Sequence, residues 1–300
     1  MTAQGTDRRA MAAAAVTVLL WSSAFVAIRG AVEYFSPGAL ALGRLASGAV
    51  VLVAIAVIRK AGLPPKAAWP GIAVSGIFWF GVYMVVLNWG EQEVDAGTAA
   101  MIVNVGPIII ALLGGWLLKE GFPPRLMAGM AVSFGGAVVV GISMSSGGKS
   151  SILGVGLCLL AAATYAVGVV AQKPALRYAS ALQATTYGCV IGMVACLPFA
   201  GQLVAEVGEA PLSATLNMVY LGVFPTALAF TTWAYALART TAGKMGATTY
   251  IVPAVVVLMS WIALREVPGW LTFVGGALCL AGVAVSRTKK RVPVSVDTTV

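Results

Sequence analysis

What most constrains this chain is a rhythm: apolar runs, each near the length that crosses a bilayer, broken by short gaps of Gly, Pro and charge. A hydrocarbon core of ~30 Å takes about 20 helical residues. Such runs fall at roughly 10–29, 38–58, 68–89, 96–118, 125–143, 152–172, 182–203, 213–237, 243–264 and 268–286. The pattern predicts ten transmembrane helices, with connections too short for an extramembrane domain. Composition agrees. Of 300 residues, 60% are hydrophobic and 10% charged, against about 45–50% and about 25% in soluble domains. The first run follows Arg8 and Arg9, is long enough to span and precedes further spans. It therefore reads as a helix and not as a cleaved signal peptide.

The formal net charge is +9. The cations sit in gaps between spans and form no patch, so a nucleic-acid partner is not expected. With the N-terminus inside, Arg59, Lys60, Lys66, Lys119, Arg125, Lys173, Arg177, Arg239, Lys244 and Arg287 all fall inside, and only Arg29, Lys149 and Arg265 outside. Cationic loops resist translocation, so both termini are expected on the cytoplasmic side of a bacterial-type inner membrane. The four cysteines, Cys158, Cys189, Cys196 and Cys279, lie inside apolar runs and lack metal-ligand spacing. There is no histidine, which excludes a His relay, a His metal site and a Ser/His/Asp triad. No phosphate-binding Gly loop and no paired intramembrane acids are present. Neither an enzyme nor a cofactor is expected.

The chain also repeats itself. Shifted by about 146 residues, Gly97 meets Gly243, Pro107 meets Pro253, Leu118 meets Leu264, Lys119 meets Arg265 and Glu120 meets Glu266. Gly129 meets Gly275 and Gly136 meets Gly282, while Trp21 to Arg29 meets Tyr165 to Lys173 at a slightly smaller shift. The expected organisation is a first five-helix unit over 1–148, a second over 149–288 and a cytoplasmic tail over 289–300. Five is odd, so the second unit enters the membrane from the opposite side. Inverted repeats of this kind are a recurrent transporter design.

The repeated segments resemble the drug/metabolite transporter superfamily, in particular its EamA-type members. Leu19 through Trp21 to Arg29 is similar to that family's opening helix, and Gly43-Arg44-Leu45 to its second-helix arginine motif. Gly97 through Pro107 to Glu120 is similar to its fourth helix, and Gly129 through Gly136 to its glycine-rich fifth. The second copy recurs at Gly243 to Glu266 and Gly275 to Gly282, departing where Tyr165 replaces the usual Trp-containing motif. The resemblance implies two inverted five-helix repeats around a central cavity lined by helices 1–4 and 6–9. It also implies metabolite export, closest to the branch that exports aromatic and other neutral amino acids.

Several residues can carry transport. Pro107 and Pro253 lie mid-span, where proline removes a backbone donor and kinks the helix. They are candidate hinges, or static kinks. Arg44 lies inside the second span, where a cation costs roughly 2.5–3.5 kcal/mol on insertion scales. It either grips a substrate carboxylate or serves structure. Asn104 shares the face of Pro107 and offers an amide to a ligand or to the kink; Met101 and Ser22 are candidate lining residues. Trp79 and Tyr83 are mid-span and four apart, on one helical face. With Trp21, Tyr165, Trp233 and Tyr250 they can wall a cavity for apolar side chains, or simply pack. Trp69, Trp116, Trp261 and Trp270 lie near span ends as interfacial anchors. Glu120 and Glu266 each follow a cation at a span end, as gate residues or terminal ion pairs.

No Asp or Glu lies clearly at mid-membrane, which points to facilitated diffusion or exchange. The alternative is a proton-coupled multidrug or nucleotide-sugar carrier on the same fold. The expected partners are a small-molecule substrate and the lipid bilayer. A monomer is expected, with a dimer left open.

Overall fold

A computed structural model describes residues 8–94, 99, 102–144, 151–252, 254–255, 258–259 and 270–287. Every regular element among them is helical. In chain order these are α1 (Arg8–Arg29), α2 (Pro37–Ile58), α3 (Lys66–Glu93), α4 (Gly106–Leu117), α5 (Pro124–Met144), α6 (Ile152–Ala175), α7 (Ala181–Ala195), α8 (Leu197–Glu209), α9 (Leu212–Leu237), α10 (Ala242–Thr248) and α11 (Trp270–Arg287). Four of them, α2, α3, α6 and α9, are long and apolar enough to cross a membrane, and α7 with α8 makes a fifth if counted as one bent span. Helices α4, Pro124–Val140 within α5 and Phe273–Ser286 within α11 are shorter and apolar. Outward faces carry bare aliphatic and aromatic side chains: Ile58 is 78% exposed, Trp116 73% and Ile152 94%. A water-facing surface would hold polar groups there; lipid accepts these.

The run read at 182–203 is not straight. It bends by 52° between α7 and α8. Pro198 stands in a short 3₁₀ turn at the break, where its ring cannot supply the donor that a continuous helix needs.

Two spans contain a stretch of wider, π-type turns: Gly76–Val82 in α3 and Gly222–Leu228 in α9. The second has a local cause. Pro225 has no N–H for the Leu221 carbonyl, and the Thr226 hydroxyl donates to that oxygen instead at 2.9 Å. The two stretches start 146 residues apart, the offset of the sequence repeat. Each packs against the second helix of the other half of the chain. Gly76 lies against Gly188 and Ile191 of α7, and Gly222 against Ser47 and Gly48 of α2. A Cβ on Gly48 would lie 2.9 Å from the Gly222 carbonyl oxygen, and one on Gly192 3.0 Å from that of Gly76. Both crossings are therefore backbone against backbone, and only glycine fits.

The same correspondence marks α5 and α11, which pack side by side. Gly129 meets Gly282 and Gly136 meets Gly275, so the helices run antiparallel. Between these contacts the Ser133 hydroxyl donates to the Cys279 carbonyl at 3.0 Å, and the Cys279 thiol to the Ser133 carbonyl at 3.5 Å. The glycine-rich stripes are thus used up within the chain.

Candidate functional site

At the centre, aromatic side chains from both halves of the chain converge. Trp21 of α1 and Trp79 of α3 meet Phe230 and Trp233 of α9; Trp21 to Trp233 is 5.0 Å between ring centroids and Trp79 to Phe230 is 4.6 Å. Tyr165 of α6 joins through Trp79 at 5.4 Å and Tyr83 at 5.8 Å. Phe80 closes the group against Phe230 at 4.5 Å. Trp79 and Trp233 are each 1% exposed, whereas Trp21 and Tyr83 are only half-buried. The sequence expectation that Trp79 and Tyr83 present one face is met, since both rings reach Tyr165. Trp79 stands inside the π stretch of α3 and is accommodated by Gly168 of α6, which leaves room for its Cβ.

The polar edge of this cluster is built on the other π stretch. The indole N–H of Trp21 donates to the Pro225 carbonyl at 3.1 Å, and the Nε of Arg44 donates to the Thr226 hydroxyl at 2.7 Å. That hydroxyl donates onward to Leu221, so donor and acceptor roles are consistent along the chain Arg44 to Thr226 to Leu221. Arg44 is thereby tied across the two halves. Its two terminal nitrogens make no hydrogen bond among the described residues. The Tyr83 hydroxyl and the Glu91 carboxylate lie close enough to act on it electrostatically. Among the described residues the buried Trp233 indole N–H finds no acceptor. A buried donor without a partner costs free energy.

The chain turns just before α4, whose first turn holds Pro107. Residues 104–105 form a turn just before α4, and the Ile108 amide donates to the Val105 carbonyl rather than to Asn104. The freed Asn104 carbonyl accepts from the Tyr250 hydroxyl at 2.9 Å, across 146 residues. The chain turns again at 249–250, at the end of α10. Pro107 is buried in the first turn of α4, and the Tyr250 hydroxyl serves the Asn104 carbonyl just before it. The Ser22 hydroxyl is fully buried and donates to the Val18 carbonyl at 2.7 Å. Met101, Pro253 and Glu266 lie outside the described residues.

At one end of the bundle, Glu120 accepts from the Ala242 amide at 2.9 Å and from the Gly243 amide at 3.3 Å. The Lys173 ammonium donates to the carbonyls of Leu237 and Thr240. Lys119 takes a left-handed φ of 56° and the Glu120 amide closes back on the Gly114 carbonyl at 3.2 Å. This turn aims the Glu120 carboxylate at α10. Thr226, Phe230, Phe80 and Lys173 do not stand out in the sequence. Pro225 inside an apolar run is the available signal for Thr226; the two phenylalanines carry none that separates them from packing residues.

Comparison with known proteins fits this arrangement. The model of the EamA-like transporter family matches the chain twice, over residues 8–142 and 152–288. The chain belongs to the EamA-like transporter family. It is a multi-pass membrane transporter of the drug/metabolite superfamily, all-helical in its described parts, and its partners are a small molecule and lipid. A protein of Streptantibioticus cattleyicolor, named a probable terminal-alkyne amino-acid exporter, is 36% identical over 92% of both chains. The uncharacterized transporter YdfC of Bacillus subtilis is 32% identical over 90% of this chain and 88% of its own. A solved crystal structure with 21% identity superposes with a TM-score of 0.76, covering 94% of this chain and 97% of the other, and shares the fold.

Proposed function

We propose that this EamA-like transporter exports amino acids, aromatic and other neutral ones, by alternating access. The observation that carries this reading is the pairing of an aromatic wall with Arg44 at its edge. A neutral amino acid has an apolar side chain and a carboxylate. Trp21, Trp79, Tyr83, Tyr165 and Trp233 suit the first, and the terminal nitrogens of Arg44 suit the second by a two-pronged hydrogen bond. The Trp233 N–H offers one further donor. The name of the Streptantibioticus relative points the same way.

In this reading ten spans form two inverted five-helix units, 1–148 and 149–288, with the tail 289–300 and both termini cytoplasmic. Supporting it are the double family match, the π stretches 146 residues apart and the reciprocal Ser133–Cys279 contact. Two units that pack nearly equivalently in either of two ways give inward-open and outward-open states of similar energy. No acid stands in the aromatic cluster among the described residues, so facilitated diffusion or exchange is favoured over obligate proton coupling.

The test is uptake of labelled amino acids into proteoliposomes, with and without an imposed pH gradient. Saturable flux of aromatic and aliphatic amino acids is expected without the gradient. Trp79→Ala and Tyr83→Ala should cut flux about tenfold or more, since each removes ring contact worth ~1.4 kcal/mol or more at the substrate. Trp233→Phe should raise KM with little loss of stability. A chain that moves no amino acid, or that moves them only with the gradient, overturns the substrate or the coupling respectively.

A further inference from the structure

The polar edge of the aromatic cluster is held by the protein itself. The Trp21 N–H is taken by the Pro225 carbonyl, and the Arg44 Nε by the Thr226 hydroxyl. Two donors inside the cluster are not spent in this way. The Trp233 indole N–H and the Tyr165 hydroxyl are both buried, and neither finds a hydrogen-bond partner among the described residues. Thr249 lies beside Tyr165, but its own hydroxyl proton is directed at the Gly246 carbonyl at 2.7 Å.

The two donors are neighbours, with ring centroids 6.5 Å apart. Each sits against one of the half-buried rings of the cluster: Trp233 against Trp21 at 5.0 Å, and Tyr165 against Tyr83 at 5.8 Å. A molecule that enters past Trp21 or Tyr83 therefore meets these donors next. An indole N–H can only donate, and a phenol can donate or accept. The group that satisfies both at once must present an acceptor. A hydrocarbon in the same place leaves both donors unmet, at a cost in free energy.

Building on the amino-acid substrate proposed above, we propose that Trp233 and Tyr165 are specificity-determining residues that read the far end of the substrate side chain. Arg44 takes the carboxylate and the rings take the apolar body. The Trp233 N–H and the Tyr165 hydroxyl take a side-chain acceptor, so that a side chain ending in a hydroxyl is preferred over a hydrocarbon of the same shape. Discrimination of this kind is steep because the site's own buried polar groups go unpaired with the wrong substrate.

The experiment uses the purified full-length chain in proteoliposomes. Uptake of labelled phenylalanine is competed with unlabelled tyrosine and with para-methylphenylalanine, which has the shape of tyrosine without its oxygen. Tyrosine is expected to compete about tenfold better, as for one hydrogen bond whose absence leaves a buried donor unmet. Tyr165→Phe and Trp233→Phe each keep a ring in place and should each reduce that preference severalfold. Equal competition in the wild-type protein, or a preference unchanged in both variants, overturns the assignment. A second measurement needs no substrate. In detergent, Tyr165→Phe should melt no lower than wild type, because an unmet hydroxyl adds nothing to the fold. A lower melting temperature would show that the hydroxyl is already bonded within the protein, and would overturn its role as a reader. Absence of any phenylalanine flux fails the proposed substrate itself, whereas flux with equal competition fails only the specificity.

Discussion

One residue, Thr226, shows how tightly the polar edge of the site is drawn. Its hydroxyl accepts from Arg44 and donates to the Leu221 carbonyl that Pro225 leaves without a partner. Thr226 is fully buried, so water cannot take its place. Thr226→Val keeps the shape and removes both bonds, leaving a cation and a carbonyl unmet. The expected cost is about 1–3 kcal/mol, read as a lower melting temperature in detergent, with a larger fall in transport because Arg44 is released. Thr226→Ser should restore most of both. Equal stability of the valine and wild-type proteins would mean that the Arg44 to Thr226 bond holds nothing in place.

At the scale of the element, the antiparallel pair α5 and α11 is fixed by four glycines and the Ser133–Cys279 exchange. A Cβ on Gly136 would come within 2.6 Å of the Cys279 nitrogen and the Gly275 oxygen, which are backbone and cannot turn aside. Gly136→Val is therefore expected to force the helices apart and cost about 1–3 kcal/mol, visible as a lower melting temperature. Gly135→Ala, where nothing lies within 4 Å, is the control and should be neutral. The stripe containing Gly136 was legible in sequence, because small residues at helical spacing predict close packing. So were the apolar spans α2, α3, α6 and α9, from their length. The π stretch of α3 was not: it contains no proline, and its residues read as an ordinary apolar helix. The grip of Lys173 on Leu237 and Thr240 was also hidden, since a lysine at a span end looks the same whether solvated or bound. Among the candidate site residues, the sequence distinguished aromatic from polar character. It could not separate Tyr250, which serves a neighbouring carbonyl, from Tyr83, whose ring remains half-open.

For the whole molecule, the decisive question is which side each loop faces. Ser133 and Cys279 are equivalent in the sequence repeat, each donates to the other's carbonyl, and their helices run in opposite directions. Under the proposed function, such equivalent helices are expected to belong to units that enter the membrane from opposite sides, each crossing an odd number of times. The segment around Lys149 should then face away from both chain ends. The charge pattern predicts the sign: with cations gathered near Arg8 and Arg9 and after Arg287, both ends are expected in the cytoplasm. Single cysteines placed at Thr6, Lys149 and Thr298 of a chain lacking its native thiols should label with an impermeant maleimide accordingly. In intact cells only the cysteine at 149 should react; in inside-out vesicles only those at 6 and 298 should. Labelling of 6 and 149 from the same side would require an even number of crossings between them. The two proposed units would then face the same way, and the equivalence on which the proposed alternating access depends would be lost.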